Sequence, residues 1–239
     1  MLPTTDKRLV VRHQMESMKK VEPLLERYEG NRVIRGLVQL VPFGIGSAFD
    51  VVLVRTLEKM QEDRARSYFD ALSEGGPLDD ALLGSEGFLH RFFATTRAAL
   101  DTRREEKIQM FARLLLSSVS DTRPIEPDEY EEFLGILDDL SYREMLALSV
   151  LDRFSERKRE PDHNDLQWTN TFWDEFEQVL CSELQVPEDS VSDFMNRISR
   201  TGCYEMFTGG YLDYTGGKGK LTPTYYRLRN YVQERTNNA

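Results

Sequence analysis

The sequence is organised around one uncharged stretch, Gly36-Leu-Val-Gln-Leu-Val-Pro-Phe-Gly-Ile-Gly-Ser-Ala-Phe49. Because 30% of the chain is charged, a run of this kind has to be covered by other parts of the protein. Pro42 ends a first apolar arm, and Gly44 and Gly46 allow two backbones to approach closely before the apolar run resumes beyond Asp50. The stretch therefore predicts a central helical hairpin. The residues expected at its core are Pro42, Phe43, Gly44, Gly46 and Phe49.

Two apolar patterns at helical spacing follow the hairpin. Ser85 is a favoured N-cap residue and precedes a predicted helix over Glu86–Asp101. A second helix is predicted over Arg103–Val119. The apolar residues of the two helices are Phe88, Leu89, Phe92, Phe93, Leu100, Ile108, Met110, Phe111, Leu114, Leu115 and Leu116. Stripes of this kind indicate core helices, so residues 1–120 are predicted to form a helical bundle around the hairpin.

The charge of the chain is divided unevenly. Residues 1–120 hold 18 Lys and Arg against 17 Asp and Glu, whereas residues 121–239 hold 13 against 24. The two parts therefore carry net charges of +1 and −11. The segment Asp121-Thr-Arg-Pro-Ile-Glu-Pro127 places two prolines at this change. These features predict a hinge over 121–127 between a first domain, 1–120, and a second domain, 128–239.

Several helices are predicted in the second domain. An acidic helix is expected over Asp128–Asp138. The capping-box sequence Ser141-Tyr-Arg-Glu144 opens the next helix, and an exposed loop is predicted over Glu156–Asp165. Two further helices are predicted over Thr171–Leu184 and Pro187–Thr201.

The end of the chain changes period. Short aromatic segments at 203–207 and 211–214 read as strands, with a flexible turn over Thr215–Lys220. Thr222 then fits the N-cap of a last helix, with Pro223 at its first position. The expected fold is mainly α, with an N-terminal helical bundle and a C-terminal winged-helix-like domain that contains a small β-hairpin.

Residues Leu140 to Val232 resemble bacterial winged-helix domains, and Leu221-Thr-Pro-Thr-Tyr-Tyr-Arg-Leu228 is similar to the segment that leaves the wing in many of them. In DNA-binding members, the helix equivalent to Pro187–Thr201 enters the major groove and the wing touches the backbone. The candidate contacts to a partner or to nucleic acid are Asn196, Arg197, Arg200, Lys218, Lys220 and Arg227.

Acidic residues oppose a nucleic-acid interpretation of this domain. The same predicted helix begins with Glu188 and Asp189 and carries Asp193, all of which repel phosphate. Neutralising a phosphate backbone needs a surplus of Lys and Arg. Residues 121–239 have no such surplus, because their net charge is −11. A docking role toward another protein is therefore favoured.

Nearly the full length of the chain also resembles the bacterial Abi-alpha (abortive-infection alpha) proteins. The resemblance is carried by Leu40-Val-Pro-Phe-Gly-Ile-Gly46, by the helix with Arg104, Lys107 and Phe111-Ala112, and by the helix that starts at Leu140-Ser141. It implies a helical bundle that acts in phage defence or growth arrest.

No catalytic or metal-binding constellation emerges from the sequence. His13, His90 and His163 lie far apart, and none has a second ligand at metal spacing. The run Gly216-Gly-Lys-Gly-Lys220 lacks the spacing of a phosphate-binding loop and is interpreted as a wing turn. A non-enzymatic protein without metal or cofactor is therefore expected. The two cysteines, the absence of a secretory signal and the lack of about 20 consecutive apolar residues favour the cytoplasm.

Three functions remain open. The favoured one is a non-enzymatic interaction protein of a bacterial antiviral defence system, whose acidic C-terminal domain docks a protein partner. The partner can also be a second copy of the chain, which would give a homo-oligomer. The second is a winged-helix DNA-binding regulator, for which the basic side chains would have to form one exposed face. The third is a membrane-perturbing effector, which touches a membrane only if the hairpin at 36–54 is released.

Overall fold

The computed structural model describes five ranges of the chain; within the range 51–75, side chains are described from Lys59 onward. These ranges are 22–41, 51–75, 78–120, 125–207 and 217–233. Over them the fold is mainly helical with a small two-stranded antiparallel sheet, which confirms the predicted class at that level. The chain divides into two compact units between Tyr130 and Glu131.

The first unit is helical over its described residues. Its helices are α1 (22–27), α2 (Arg32–Leu40), α3 (Val51–Glu74), α4 (Glu86–Asp101) and α5 (Glu105–Ser118), with a 3-10 turn at Asp80–Gly84. Helices α3, α4 and α5 pack against one another. Ser85 caps α4 as predicted, because its hydroxyl oxygen accepts a hydrogen bond from the N–H of Phe88 at 3.3 Å.

The buried face of α4 differs from the predicted stripe. Phe93 is 44% exposed, so the prediction that it joins the apolar stripe is wrong. The inward face of a helix recurs every three to four residues, and small side chains continue it here. The buried residues of α4 are Phe88, Phe92, Thr95, Thr96 and Ala99. Phe92 meets Phe69 of α3 at a ring separation of 6.3 Å, which ties the two helices together.

The arms of the predicted hairpin correspond to α2 and the start of α3. Asn31 caps α2 by accepting a hydrogen bond from the N–H of Ile34 at 3.1 Å. A Cβ atom added at Gly36 would lie 3.1 Å from Leu83, so α2 sits closely on the 3-10 turn. Val41 is buried. The expected hairpin core, Pro42, Phe43, Gly44, Gly46 and Phe49, lies outside the described residues.

Arg91 of α4 organises the end of the first unit. Its guanidinium donates to the carbonyl oxygen of Ser118 at 3.2 Å and to that of Ile125 at 3.4 Å, and it lies 5.2 Å from the ring centre of Tyr130. The Tyr130 hydroxyl shares a hydrogen bond with the buried Thr95 hydroxyl. Burial raises the pKa of Tyr130 to about 12, so this hydroxyl stays protonated at neutral pH.

The predicted hinge over 121–127 is described only at its end. Ile125 is buried, and helix α6 begins at Pro127. Residues 121–124 lie outside the described part of the chain. The hinge, and the domain limits drawn from it, therefore stay predictions.

The second unit begins within α6 and ends at residue 233. Its elements are α6 (Pro127–Asp139), α7 (Tyr142–Ser155), α8 (Asp165–Asn170), α9 (Trp173–Ser182), a 3-10 turn (Glu188–Ser190), α10 (Val191–Ser199), β1 (Tyr204–Met206), β2 (Gly219–Leu221) and α11 (Pro223–Val232). The capping box of α7 and the Thr222 cap of α11 are confirmed. Gly202, with φ of +72°, allows the chain to turn after α10.

The sequence predicts an exposed loop over Glu156–Asp165, whereas the structure has helix α8 from Asp165. This helix begins at a second capping box. The side chain of Asn164 accepts a hydrogen bond from the N–H of Gln167 at 2.9 Å, and the side chain of Gln167 accepts one from the N–H of Asn164 at 3.0 Å. The helix predicted over Thr171–Leu184 is shorter than expected and corresponds to α9.

The two-stranded sheet differs from the predicted β-hairpin in the position of the second strand. Tyr204 pairs with Leu221 and Met206 with Gly219, so Gly219 and Lys220 lie in a strand rather than in the turn. A Cβ atom added at Gly219 would lie 2.2 Å from the carbonyl oxygen of Glu205, which explains why glycine occupies this position. Residues 208–216 lie outside the described part.

Candidate functional site

Two of the candidate arginines converge on one buried carboxylate. Arg197 of α10 donates from Nε to Oε1 of Glu144 at 2.8 Å, and Arg200 donates to the same oxygen at 3.1 Å. Arg200 also donates to the carbonyl oxygen of Asp139 at 2.9 Å. The guanidiniums that could have read nucleic acid are thus bound to the end of α6 and the first turn of α7.

Glu144 is only 2% exposed and sits at the third position of the α7 capping box. Its other oxygen accepts from the N–H of Ser141 at 2.7 Å. Burial alone would raise the pKa of Glu144, but hydrogen bonds from Ser141, Arg197 and Arg200 outweigh it and lower the pKa to about 2. The carboxylate is therefore ionised throughout the physiological range.

Arg143, which the sequence did not single out, joins the same place. Its guanidinium lies 5.2 Å from the ring centre of Phe194, and that of Arg197 lies 5.3 Å from the same ring. Phe194 is buried, whereas both arginines are exposed. The capping-box pattern around Ser141 pointed to a helix start, but it carried no signal that Arg143 would meet a ring fifty residues later.

Lys218 and Lys220 lie against α8 instead. Lys218 donates to the side-chain oxygen of Asn170 at 2.9 Å, and Lys220 donates to Asp165 at 2.9 Å. Asp165 accepts from Arg159 as well, at 2.8 Å. Hydrogen bonds from Lys220 and Arg159 lower the pKa of Asp165, and the bond to Asp165 raises the pKa of Lys220.

The other candidates occupy different positions. Arg227 of α11 lies 5.6 Å from the ring centre of Phe133 in α6. Asn196 is exposed on α10. Five of the six candidates thus contact several different elements: Arg197 and Arg200 share Glu144, the lysines contact α8, and Arg227 contacts α6.

A second buried carboxylate fastens the last helix. Asp152 of α7 is 7% exposed and accepts hydrogen bonds from the hydroxyl of Tyr225 at 3.2 Å and from Arg229. Burial, followed by the negative charge of Asp152, raises the pKa of Tyr225. Helix α7 therefore holds α10 through Glu144 and α11 through Asp152.

Within the described ranges, no group of three His, Cys, Asp or Glu side chains is arranged to hold a metal ion. None of the described helices combines the length and the apolar character needed to cross a membrane.

The chain was compared with family models, curated proteins and solved structures. No family model matches the chain, and neither a curated protein nor a solved structure matches it.

Proposed function

We propose that this chain is a non-enzymatic, cytoplasmic interaction protein whose second unit is a winged-helix-like module that docks a protein partner. One observation carries the proposal. The cations best placed to contact nucleic acid are engaged by carboxylates of the same chain, with Arg197 and Arg200 on Glu144 and Lys220 on Asp165. A phosphate backbone would have to compete with these pairs.

The order of elements supports the winged-helix-like description. Helices α7 to α10 precede an antiparallel β1–β2 pair, and α11 follows it directly. Winged-helix domains have this order, and domains of one fold serve different functions through different surface residues. The net charge of −11 over residues 121–239 supports docking of protein in preference to a polyanion.

A photo-crosslinking experiment in cells tests the proposal. A photoreactive benzoylphenylalanine is placed at Asn196, which is exposed on α10, and in a control at Lys158, which is exposed after α7. We expect irradiation to give a discrete protein adduct at position 196 and none at 158. Adducts at position 196 that disappear on nuclease treatment would favour the DNA-binding regulator instead.

The resemblance to Abi-alpha proteins supports placing this docking within bacterial phage defence. We expect cells that express the chain to reduce phage plaque numbers, and cells that express a variant substituted at the exposed Asn196 of α10 to lose this protection. The defence role would be contradicted by equal plaque numbers with and without the chain over a panel of phages. That result would leave the docking proposal unaffected.

A further inference from the structure

We propose that Arg91 is a conformational latch, which holds the start of α6 to α4 and to the end of α5 and whose release frees the start of α6. Its guanidinium contacts three places that lie apart in the sequence. The two terminal nitrogens donate to the carbonyl oxygens of Ser118, at 3.2 Å, and of Ile125, at 3.4 Å. The guanidinium also lies 5.2 Å from the ring centre of Tyr130. One side chain thus holds the chain both before and after residues 121–124.

Both carbonyl oxygens lie where a helix ends or begins. Ser118 is the last residue of α5, and the last four carbonyl groups of a helix have no partner within it. Ile125 precedes the first turn of α6, in which the N–H of Tyr130 donates to the carbonyl oxygen of Glu126 at 2.9 Å. A guanidinium presents its donors in a rigid planar fork. It can therefore satisfy both carbonyl groups at once.

Tyr130 gives the latch a second point of attachment on α4. The Thr95 hydroxyl donates to the carbonyl oxygen of Arg91 at 2.7 Å, so the Tyr130 hydroxyl is the donor in the hydrogen bond that it shares with Thr95. The ring and the hydroxyl of Tyr130 are thus bound to two residues that lie one turn apart on α4. Tyr130 is 1% exposed and Ile125 is 3% exposed, so both side chains are buried while the latch is closed.

The charge of Arg91 is held without a carboxylate. Within the described ranges no Asp or Glu pairs with it, and its partners are neutral carbonyl groups and an aromatic ring. Arg91 is half-buried, so water can replace these contacts one at a time. Opening does not require the separation of a buried ion pair, which is a costly step. The start of α6 should therefore open as a local unit, at a lower free energy than that of global unfolding.

Amide hydrogen exchange of the full chain, followed by NMR, tests the latch. The N–H of Tyr130 is the reporter, and that of Phe69, which is buried in α3, is the internal reference. We expect Arg91→Gln to speed exchange at Tyr130 by about tenfold or more, because a charged donor to two carbonyl groups is lost, and to change exchange at Phe69 by less than about twofold. Arg97→Gln is the matched control, since Arg97 is exposed on the same helix and has no partner in the described part of the chain. It should change exchange at Tyr130 by less than about twofold.

A second variant separates the fork from the charge. Arg91→Lys keeps the charge but has a single nitrogen, so we expect fast exchange at Tyr130 in this variant as well. If Arg91→Gln fails to fold, the same comparison of Tyr130 with Phe69 in Arg91→Lys decides the matter. The latch would be overturned by unchanged exchange at Tyr130, by equal acceleration at Tyr130 and Phe69, or by equal effects of Arg91→Gln and Arg97→Gln. Full protection of Tyr130 in Arg91→Lys would contradict the role of the fork.

Discussion

Glu144 is the residue through which α7 and α10 are joined. A buried carboxylate is costly unless it is paired and hydrogen-bonded, and Glu144 has both kinds of partner, in Ser141 and in two arginines. Removing its charge would leave Arg197 and Arg200 without their counter-charge. The residue thus stabilises the helix that carries the candidate interface.

We expect Glu144→Gln to lower the free energy of unfolding of the second unit by about 2–3 kcal/mol, because charged hydrogen bonds at a buried position are lost. Urea unfolding followed by tryptophan fluorescence measures this, since both tryptophans, Trp168 and Trp173, lie in this unit. Glu160→Gln, at an exposed position, should change it by less than about 0.5 kcal/mol. Similar values for the two variants would contradict the role of Glu144.

The same carboxylate predicts a pH dependence. Its pKa is about 2 in the folded protein against an ordinary value of 4.5, so the folded state binds its proton less readily than the unfolded state. Its stabilisation is fully present above pH 4.5 and is lost as the pH falls toward 2. The difference in stability between the native protein and Glu144→Gln should therefore shrink across this interval. A difference that stays constant with pH would show that the charge is not responsible.

At the scale of elements, local signals predicted most helix starts. Ser85, Ser141 and Thr222 were recognised as caps because each lies next to the backbone N–H that it binds. The same signal is present at Asn164 and Gln167, which form the capping box of α8. The apolar pattern places Phe93 inward because the residue is bulky and apolar, whereas in the structure Thr95 and Thr96 take that face.

Features that depend on distant parts of the chain could not be read in the same way. The position of β2 is fixed by pairing with β1, which no local pattern encodes. The contact of Arg197 with Glu144 joins residues 53 positions apart, and Arg143 became a site residue only through Phe194. The sequence thus indicates α10 as the helix of the candidate site, but not that Glu144 binds its two arginines.

Gly219 lies too close to β1 to carry a side chain, which predicts the effect of a substitution there. We expect Gly219→Ala to destabilise the second unit by about 1–3 kcal/mol, because its Cβ would collide with the Glu205 carbonyl and the Tyr204 ring. Gly135→Ala is the control: a Cβ added there, inside α6, meets no atom within 4 Å, so it should stabilise by about 0.5–1 kcal/mol. Urea unfolding compares the two. An unchanged free energy of unfolding in Gly219→Ala would contradict the close β1–β2 pairing.

At the scale of the whole molecule, the charge of the sequence changes along the chain. The first 120 residues are nearly neutral, and the acidic surplus belongs to residues 121–239. The boundary between the compact units lies inside α6, after Tyr130. The prolines at 124 and 127 lie just before this boundary.

We expect limited proteolysis with subtilisin to cut the chain first between Ser120 and Ile125, because the predicted hinge, with its prolines and the change of charge, falls there. Ile125 itself is buried and held by Arg91, so cleavage should stop short of it. Mass spectrometry of the first fragments locates the cut. First cuts elsewhere, for example at the exposed Arg103 and Arg104, would contradict the predicted hinge.

The central claim is that the second unit docks protein and does not read DNA, and equilibrium binding of the full chain to a pool of duplex DNA tests it most directly. Fluorescence anisotropy at physiological salt should give a Kd of about 1 μM or weaker, as expected for non-specific contacts. Arg197→Ala and Arg200→Ala should leave this value nearly unchanged, because Glu144 engages both guanidiniums. Selection from the pool of one duplex bound with a Kd of about 10 nM or tighter, and lost in Arg197→Ala, would contradict the account.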